Sequence, residues 1–385
     1  MKKISYLDGL RGLAAFEVVF HHFILAFYPA LFSGPDNVTH LKAGFEIFAS
    51  GSVLNILYDG NFAVCIFFVL SGYVLSHKFF LLKDHEILTA SAIKRYFRLV
   101  IPVAVSIFLI FFLMKFSLFY NKQAADISGS VWLGGFWNFT PNFMDALNQI
   151  FIGTFFSNVF DYNATLWTIA FELFGAFLVL GFLALFGKMK NRHWAYIAAI
   201  IIFFQTYYLA FILGVLLCDL MAHKNMIIRK FDRSKIIGTG LLLLGLFLGS
   251  YPAGRDVAGT IYAPMFTAFF VNPAIVYHVL GAFLLIAVLL DSRRMQKFFS
   301  YKYFLFLGEI SFAMYLLHFL ILGSFGSFIF LKMEPYFPYT GAVIISFILS
   351  LGLIFAASYL MYVHIDKRTA RFSHAIYSRL FGQGK

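Results

Sequence analysis

The chain has 385 residues, of which 61% are hydrophobic and only 12% are charged. Soluble domains carry about 25% charged residues, so this composition excludes an ordinary soluble globular fold and indicates a membrane protein. The net charge of +12 does not indicate nucleic-acid binding, because the Lys and Arg residues are dispersed beside apolar runs, where anionic lipid attracts them. We therefore expect membrane lipid, and no nucleic acid, as a partner.

The apolar runs predict the number of membrane helices. About 20 residues cross the hydrocarbon core, and eight stretches approach that length: residues 10–31, 61–82, 97–119, 165–187, 236–250, 273–290, 303–331 and 339–363. The stretch from Trp194 to Met221 is long for one helix and short for two. Reading it as one helix would place the five basic residues of 224–235 outside the cytoplasm, against the usual excess of Lys and Arg on the cytoplasmic side.

Two helices in that stretch give ten spans, with 25 Lys and Arg residues on the side of both termini and 5 on the other. We therefore predict an all-α integral membrane protein of about ten helices with cytoplasmic N- and C-termini. Residues 1–385 form a single membrane domain in this prediction, without an appended soluble domain.

The first predicted helix carries titratable residues, which are costly inside a membrane and therefore suggest a functional site. Arg11 and His22 are eleven residues apart, so they share one helix face and are separated by ~16 Å along the axis. A guanidinium that binds phosphates and a deeper imidazole base suit a long anionic donor such as acyl-coenzyme A. Alternatively, Arg11 contacts lipid headgroups and His22 is an interhelical hydrogen bonder. His21 and Glu17 point to other faces.

The second and third predicted helices supply further candidates for donor binding. Ser71 and Gly72 lie near the cytoplasmic end of the second helix, where they provide close packing or a thin wall around the donor. Arg95 and Arg98 are three residues apart on the third helix and can clamp phosphate together. The alternative for this pair is an anchor at the membrane surface.

The fourth and ninth predicted helices supply candidates for catalysis and acceptor binding. Trp167 marks the outer interface, and Glu172 lies below it, where a carboxylate can orient a histidine or bind a sugar hydroxyl. On the ninth helix a small residue and three hydrogen-bonding residues fall within an ~80° arc: Gly308, Ser311, Tyr315 and His318. The glycine predicts a close helix approach, and the histidine favours a site over a simple packing seam.

Five segments together resemble the acyltransferase-3 family of integral membrane acyltransferases. The segments are LDGLRGLAA (7–15) followed by His21 and His22, FFVLSGY (67–73), RYFR (95–98) with Pro102, LWTIAFE (166–172) and GEISFAMYLLH (308–318). The resemblance implies about ten helices, coenzyme A thioester donors, and transfer of acetyl or succinyl groups to glycan hydroxyls. The family's signature for the first helix is an arginine, ten further residues and then a histidine, and Arg11 and His22 match this spacing. His21 is an extra neighbour, which leaves two candidates for the base.

The expected reaction is transfer of an acyl group, with acetyl-CoA as donor, to a glycan or a lipid-linked saccharide. Phosphates would bind Arg11, Arg95 and Arg98, and His22 would take the hydroxyl proton. Ser311 or Tyr315 would donate to the thioester oxyanion, while Glu172, Trp167 and His318 would shape the acceptor pocket. We expect no metal, and we expect a multi-pass protein of a bacterial plasma membrane. The sequence leaves direct transfer and an acyl-enzyme open, and the alternative function is a proton-coupled exporter of a small solute.

Overall fold

The computed structural model describes residues 4–222 and 235–382, which are helical and contain no β-strand. Eleven of the helices are used below to locate the site. They are α1 (Ser5–Phe27), α2 (Gly60–Leu82), α3 (Glu86–Lys115), α4 (Trp167–Phe186), α5 (His193–Ile202), α6 (Tyr208–Ala222), α7 (Lys235–Gly249), α8 (Pro273–Asp291), α9 (Lys302–Ile321), α10 (Tyr339–Met361) and α11 (Lys367–Phe381).

Within residues 4–222 and 235–382, seven helical segments are long and apolar enough to cross a membrane. They are Ser5–Phe27, Gly60–Leu82, Glu86–Lys115, Ala164–Phe186, Pro273–Asp291, Lys302–Met333 and Tyr339–Arg379. The described residues also contain three shorter apolar helices: His193–Ile202, Tyr208–Ala222 and Ile236–Gly249. The predicted all-α membrane class is therefore confirmed, whereas the count of ten crossings and the orientation of the termini stay predictions.

The ambiguous stretch from Trp194 to Met221 forms two helices, as the loop-charge argument required. The break lies between α5 and α6, where Gln205 has a φ of 64° and its side-chain oxygen accepts a 2.6 Å hydrogen bond from the Val271 amide. A residue with a positive φ cannot continue a right-handed helix, so Gln205 separates α5 from α6. Of the basic segment 224–235 that supported the prediction, residues 224–234 lie outside the described residues.

Helix α1 packs most extensively against α9, and small residues make this possible. A Cβ added to Gly12 would stand 2.3 Å from the Gly308 nitrogen, and one added to Gly308 would stand 2.3 Å from the Asp8 carbonyl oxygen. Neither position tolerates a side chain, because backbone atoms already fill the space. The predicted role of Gly308 in close helix approach is confirmed, and this contact sets the separation of the side chains that α1 and α9 carry.

A second close contact joins α2 to α6. A Cβ on Gly72 would stand 2.1 Å from the Phe211 carbonyl oxygen, and one on Gly214 would stand 2.2 Å from the Val69 carbonyl oxygen. The sequence suggested two roles for Gly72, close packing or a thin wall around the donor. The contact shows that Gly72 has the packing role. Its neighbour Ser71 turns to a different partner, which is described below.

The chain between α3 and α4 is folded into short helices rather than a loop. These are Asn121–Ser128, Val131–Gly134, Phe143–Asn148 and a π-helical continuation at Gln149–Ser157. Met144, Phe151 and Phe156 are exposed on this segment, whereas Ile150 and Phe155 are buried against the bundle. Exposed aromatic and aliphatic side chains beside apolar helices suit the membrane interface.

Candidate active site

The imidazoles of His22 and His318 meet between α1 and α9. His22 Nδ1 lies 2.8 Å from His318 Nε2, and the rings are stacked with centroids 4.9 Å apart. His318 is completely buried, while His22 is half-buried. The two residues are 296 positions apart in the sequence, and the glycine contacts described above bring their helices close enough for this bond. We call these two residues the histidine pair.

The hydrogen bonds around the histidine pair assign its protons. His318 Nδ1 lies 3.0 Å from the Met314 carbonyl oxygen, and because a carbonyl can only accept, this nitrogen carries the hydrogen. In a neutral ring His318 Nε2 then has a lone pair and accepts a hydrogen bond from His22 Nδ1. The second nitrogen of His22, Nε2, is left as an acceptor without a partner among the described hydrogen bonds. It is the atom of the pair that can take a proton from a hydroxyl.

His21 has a different environment, which separates the two candidates for the base. It is buried, and its Nδ1 donates a 2.7 Å hydrogen bond to the Tyr58 carbonyl oxygen. A Cβ on Gly60 would stand 2.6 Å from the His21 ring, so the ring is held against the start of α2. Tyr58 itself donates its hydroxyl to the Leu31 carbonyl, and burial raises its pKa. The geometry therefore favours a structural role for His21.

Glu17 lies one turn before His21 on α1. Its Oε1 atom is buried and has no hydrogen-bond partner among the described residues, and the Asp59 carboxylate lies within electrostatic range. This Glu17 oxygen therefore lacks a hydrogen-bond donor within the described residues. Asp59, in contrast, accepts hydrogen bonds from Asn55 and the Phe62 amide.

At the opposite end of α1, charged residues from several helices gather around Arg11. Arg95 donates a hydrogen bond to Glu172 within an ion pair, and Ser71 donates to the same carboxylate oxygen at 2.7 Å. Arg11 pairs with Asp8 at 3.2 Å, and Arg98 lies within electrostatic range of both other arginines. We call the group formed by Arg11, Arg95, Arg98 and Glu172 the arginine end.

The C-terminal part of the chain also reaches the arginine end. A π-helical turn, Tyr362–Asp366, joins α10 to α11 without a break, and α11 packs against α3. Asp366 lies within electrostatic range of Arg98, and its Oδ1 atom is buried without a hydrogen-bond partner among the described residues. Arg98 is exposed as a residue and has no hydrogen bond or ion pair in the described structure, so its guanidinium has no protein partner to lose when it binds a ligand.

Glu172 departs from its expected position. The sequence suggested that it orients a histidine or binds an acceptor hydroxyl, but no hydrogen bond joins it to a histidine within residues 4–222 and 235–382. Its partners are Arg95 and Ser71. The carboxylate therefore lies among the residues expected to bind the donor, where it supplies the counter-charge of the partly buried Arg95.

The hydroxyls of Ser311 and Tyr315 also have partners that differ from the expected oxyanion. Ser311 donates to the Gly308 carbonyl of its own helix at 2.9 Å. Tyr315 donates to the Thr165 carbonyl at 3.0 Å and lies 2.8 Å from the Thr168 hydroxyl. Both hydroxyl hydrogens are therefore directed at protein atoms, and the structure gives neither side chain a free hydrogen to donate to a thioester oxygen.

Trp167 is half-buried and lies at the start of α4. Its ring packs on Tyr207 at 5.4 Å and on Phe171 at 5.9 Å, and Tyr207 accepts a 2.5 Å hydrogen bond from Asn61. No ring contact or hydrogen bond joins Trp167 to His318 within the described residues.

Trp132 contacts the histidine pair, although the sequence analysis did not predict this contact. Trp132, in the short helix Val131–Gly134, stacks on the His22 ring with centroids 5.3 Å apart and planes 13° apart. No spacing rule connects it to a histidine 110 positions away on another helix, so the contact could not be predicted.

Comparison with known proteins identifies the family of the chain. The family model described as an acyltransferase domain matches residues 4–363. An O-acetyltransferase of Phomopsis amygdali, named PaAT-1, is 27% identical over 84% of this chain and 73% of its own length. An acyltransferase of Cochliobolus lunatus, named clz18, is 25% identical over 85% of this chain and 84% of its own length. No solved structure matches the chain.

The family match spans the arginine end, the histidine pair and all the helices that carry them. The chain belongs to the acyltransferase-3 family and is a membrane acyltransferase.

Proposed function

We propose that this protein transfers an acetyl group from acetyl-CoA to a hydroxyl of a carbohydrate that is exported or exposed at the cell surface. The observation that carries the proposal is the histidine pair, whose hydrogen bonds leave His22 Nε2 as a free proton acceptor. The name of the Phomopsis amygdali relative, an O-acetyltransferase, supports both the acetyl group and a hydroxyl acceptor. The family resemblance supports a saccharide, free or lipid-linked.

The arginine end is the proposed binding site for the phosphates of the donor. Three guanidiniums, those of Arg11, Arg95 and Arg98, come from two different helices, and Arg98 lies within electrostatic range of the other two. Arginine binds phosphate through a rigid, planar set of donors. Arg98 carries no ion pair in the described structure, so it is the arginine that can bind phosphate without giving up a protein partner.

The proposed orientation places the arginine end at the cytoplasm, where acyl-CoA is present. The three shorter apolar helices, α5, α6 and α7, cross the membrane in this proposal and give ten spans with both termini cytoplasmic. The excess of Lys and Arg on that side, 25 against 5, supports the orientation. The proposed location is the plasma membrane.

The chemical step uses the side chains already in place. The acceptor hydroxyl gives its proton to His22 Nε2 while its oxygen bonds to the thioester carbonyl carbon. The carbon–sulfur bond then breaks, and the coenzyme A sulfur takes the proton from His22 Nε2, so the histidine returns to its starting form. General base catalysis of this kind contributes about 10²–10⁴-fold. Throughout the step His318 holds His22 Nδ1 by a hydrogen bond and so fixes the ring.

Purified protein in lipid nanodiscs, supplied with radiolabelled acetyl-CoA and carbohydrate fractions from the host cell, tests the proposal. We expect label in a base-labile ester on carbohydrate, lost in His22→Ala while the variant keeps the melting temperature of the wild type. Full activity of His22→Ala would remove the residue from the mechanism. Label on a non-carbohydrate hydroxyl would replace the acceptor, and solute flux without any transfer of label would contradict the enzyme.

A further inference from the structure

The indole of Trp132 lies against the proposed base in a well-defined geometry. The Trp132 and His22 planes are 13° apart and their centroids 5.3 Å apart, within the range of offset-stacked aromatic pairs. The Trp132 ring is itself held by Phe136 at 5.1 Å and Phe319 at 5.6 Å. It is therefore packed in place rather than lying loosely on the surface.

The backbone that carries Trp132 is tied directly to α1. Ser130 donates its hydroxyl to the Leu25 carbonyl at 2.6 Å, three residues beyond His22, and the same hydroxyl oxygen accepts from the Leu133 amide. Asn121 donates to the Leu133 carbonyl at 2.9 Å. The short helix Val131–Gly134 is thus capped, fixed to the end of α1, and held at a constant position relative to the His22 ring.

Trp137 lies five positions later in the same segment and differs from Trp132 in burial and hydrogen bonding. Trp137 is 8% exposed, and its indole nitrogen donates to the Tyr162 carbonyl at 2.9 Å. Trp132 is half-buried, and its indole N–H makes no hydrogen bond within the described residues. Of the two rings, only Trp132 contacts the proposed base.

The titratable neighbours of His22 indicate why an aromatic ring beside it would stabilise its protonated form. The titratable groups that face His22 are His318 from α9 and His21 from α1, and Asp59 lies beyond His21, within range of His21 and Glu17. No carboxylate contacts the His22 ring among the described residues. When His22 takes the hydroxyl proton it becomes a cation, and the face of an indole is the best aromatic partner for a cation.

We propose that Trp132 is a positioning residue that fixes the His22 ring and stabilises its protonated form during acyl transfer. The inference rests on the proposed role of His22 as the base. Trp132 acts through His22 and leaves the phosphates of the donor to the arginine end, so it contributes to turnover rather than to donor binding.

The kinetic test compares Trp132→Leu, Trp132→Phe and Trp137→Phe in nanodiscs. We expect Trp132→Leu to lower kcat about tenfold while the KM for acetyl-CoA stays within about twofold, because a stacked cation contributes roughly that factor. Trp132→Phe keeps a ring and should retain most of the activity. Trp137→Phe should lower the melting temperature, because the Tyr162 carbonyl loses its donor, without lowering the kcat of the folded enzyme. Equal kcat in Trp132→Leu and wild type would overturn the proposal.

A second readout does not require turnover. Diethyl pyrocarbonate modifies neutral imidazole, so mass spectrometry of His22 against pH gives the midpoint at which the ring loses its proton. Removing a partner of the cation makes the neutral form persist to lower pH, and we expect the midpoint in Trp132→Leu to fall by about half to one pH unit. An unchanged midpoint would overturn the proposal. A shifted midpoint in a protein that transfers no acetyl group would uphold the contact and reject the proposed function instead.

Discussion

Gly12 on α1 lies directly against Gly308 on α9: a Cβ added to Gly12 would stand 2.3 Å from the Gly308 nitrogen. The contact is backbone against backbone, so no side-chain movement can relieve a substitution. The histidine pair lies further along the same two helices. Its 2.8 Å hydrogen bond therefore depends on a helix separation that these glycines set.

Gly12→Ala should separate α1 from α9 and weaken the histidine pair. Overpacking of a filled interface costs about 1–3 kcal/mol, so we expect a lower melting temperature and a reduced kcat. Gly352→Ala, in α10, is the matched control because nothing lies within 4 Å of the position where its Cβ would be. Thermal unfolding in nanodiscs measures both. A Gly12→Ala protein as stable and active as Gly352→Ala would show that the contact is not required.

His318→Leu should lower kcat because it removes the His318 nitrogen that accepts the hydrogen on His22 Nδ1. An unsatisfied buried donor costs about 1–3 kcal/mol, which corresponds to roughly 5- to 150-fold. His318→Gln retains an amide oxygen that can accept the same hydrogen and should recover much of the loss. Steady-state kinetics at saturating acetyl-CoA distinguish the variants. If Gln and Leu were equally impaired, acceptance of the His22 hydrogen would not be the role of His318.

Arg98→Ala and Arg95→Ala should have different effects, although both arginines belong to the arginine end. Arg98 has no ion pair in the described structure, so its loss should raise the KM for acetyl-CoA with little change in melting temperature. Arg95→Ala leaves the partly buried Glu172 carboxylate unpaired and should also destabilise the protein. Adding Glu172→Gln to Arg95→Ala should restore part of that stability. Calorimetry and donor titration measure the two effects, and equal destabilisation by both single variants would contradict the assignment.

Ser311→Ala should change kcat by less than about twofold, because its hydroxyl hydrogen bonds to the carbonyl of Gly308 in its own helix. Tyr315→Phe should instead cost about 1–2 kcal/mol of stability, since the Thr165 carbonyl loses a buried donor. Kinetics and thermal unfolding of the two variants measure these effects. A fall in kcat of about 10²-fold or more in Ser311→Ala would restore the oxyanion role that the sequence suggested.

The sequence predicted the helices and the small-residue contact of α9 because both depend on local patterns. Apolar length located the long apolar helices. Loop charge predicted two helices in the stretch from Trp194 to Met221, and two helices form there. The partner of each polar side chain was harder to predict. Periodicity gives the face on which Glu172 lies, but its pairing with Arg95 depends on how α4 is rotated against α3. The Trp132 contact depends on the fold of a segment with no periodic pattern.

The carboxylates at the arginine end have a consequence for release of coenzyme A, the by-product of the proposed reaction. Asp8, Glu172 and Asp366 come from three different parts of the chain and lie beside the guanidiniums that would hold coenzyme A. In the empty protein they offset the mutual repulsion of these cations. When phosphate is bound they compete with it for the same guanidiniums, which limits the affinity. In the proposed reaction coenzyme A must dissociate after every turnover. Competition from the carboxylates favours this release, because a site of uncompensated cations would retain coenzyme A.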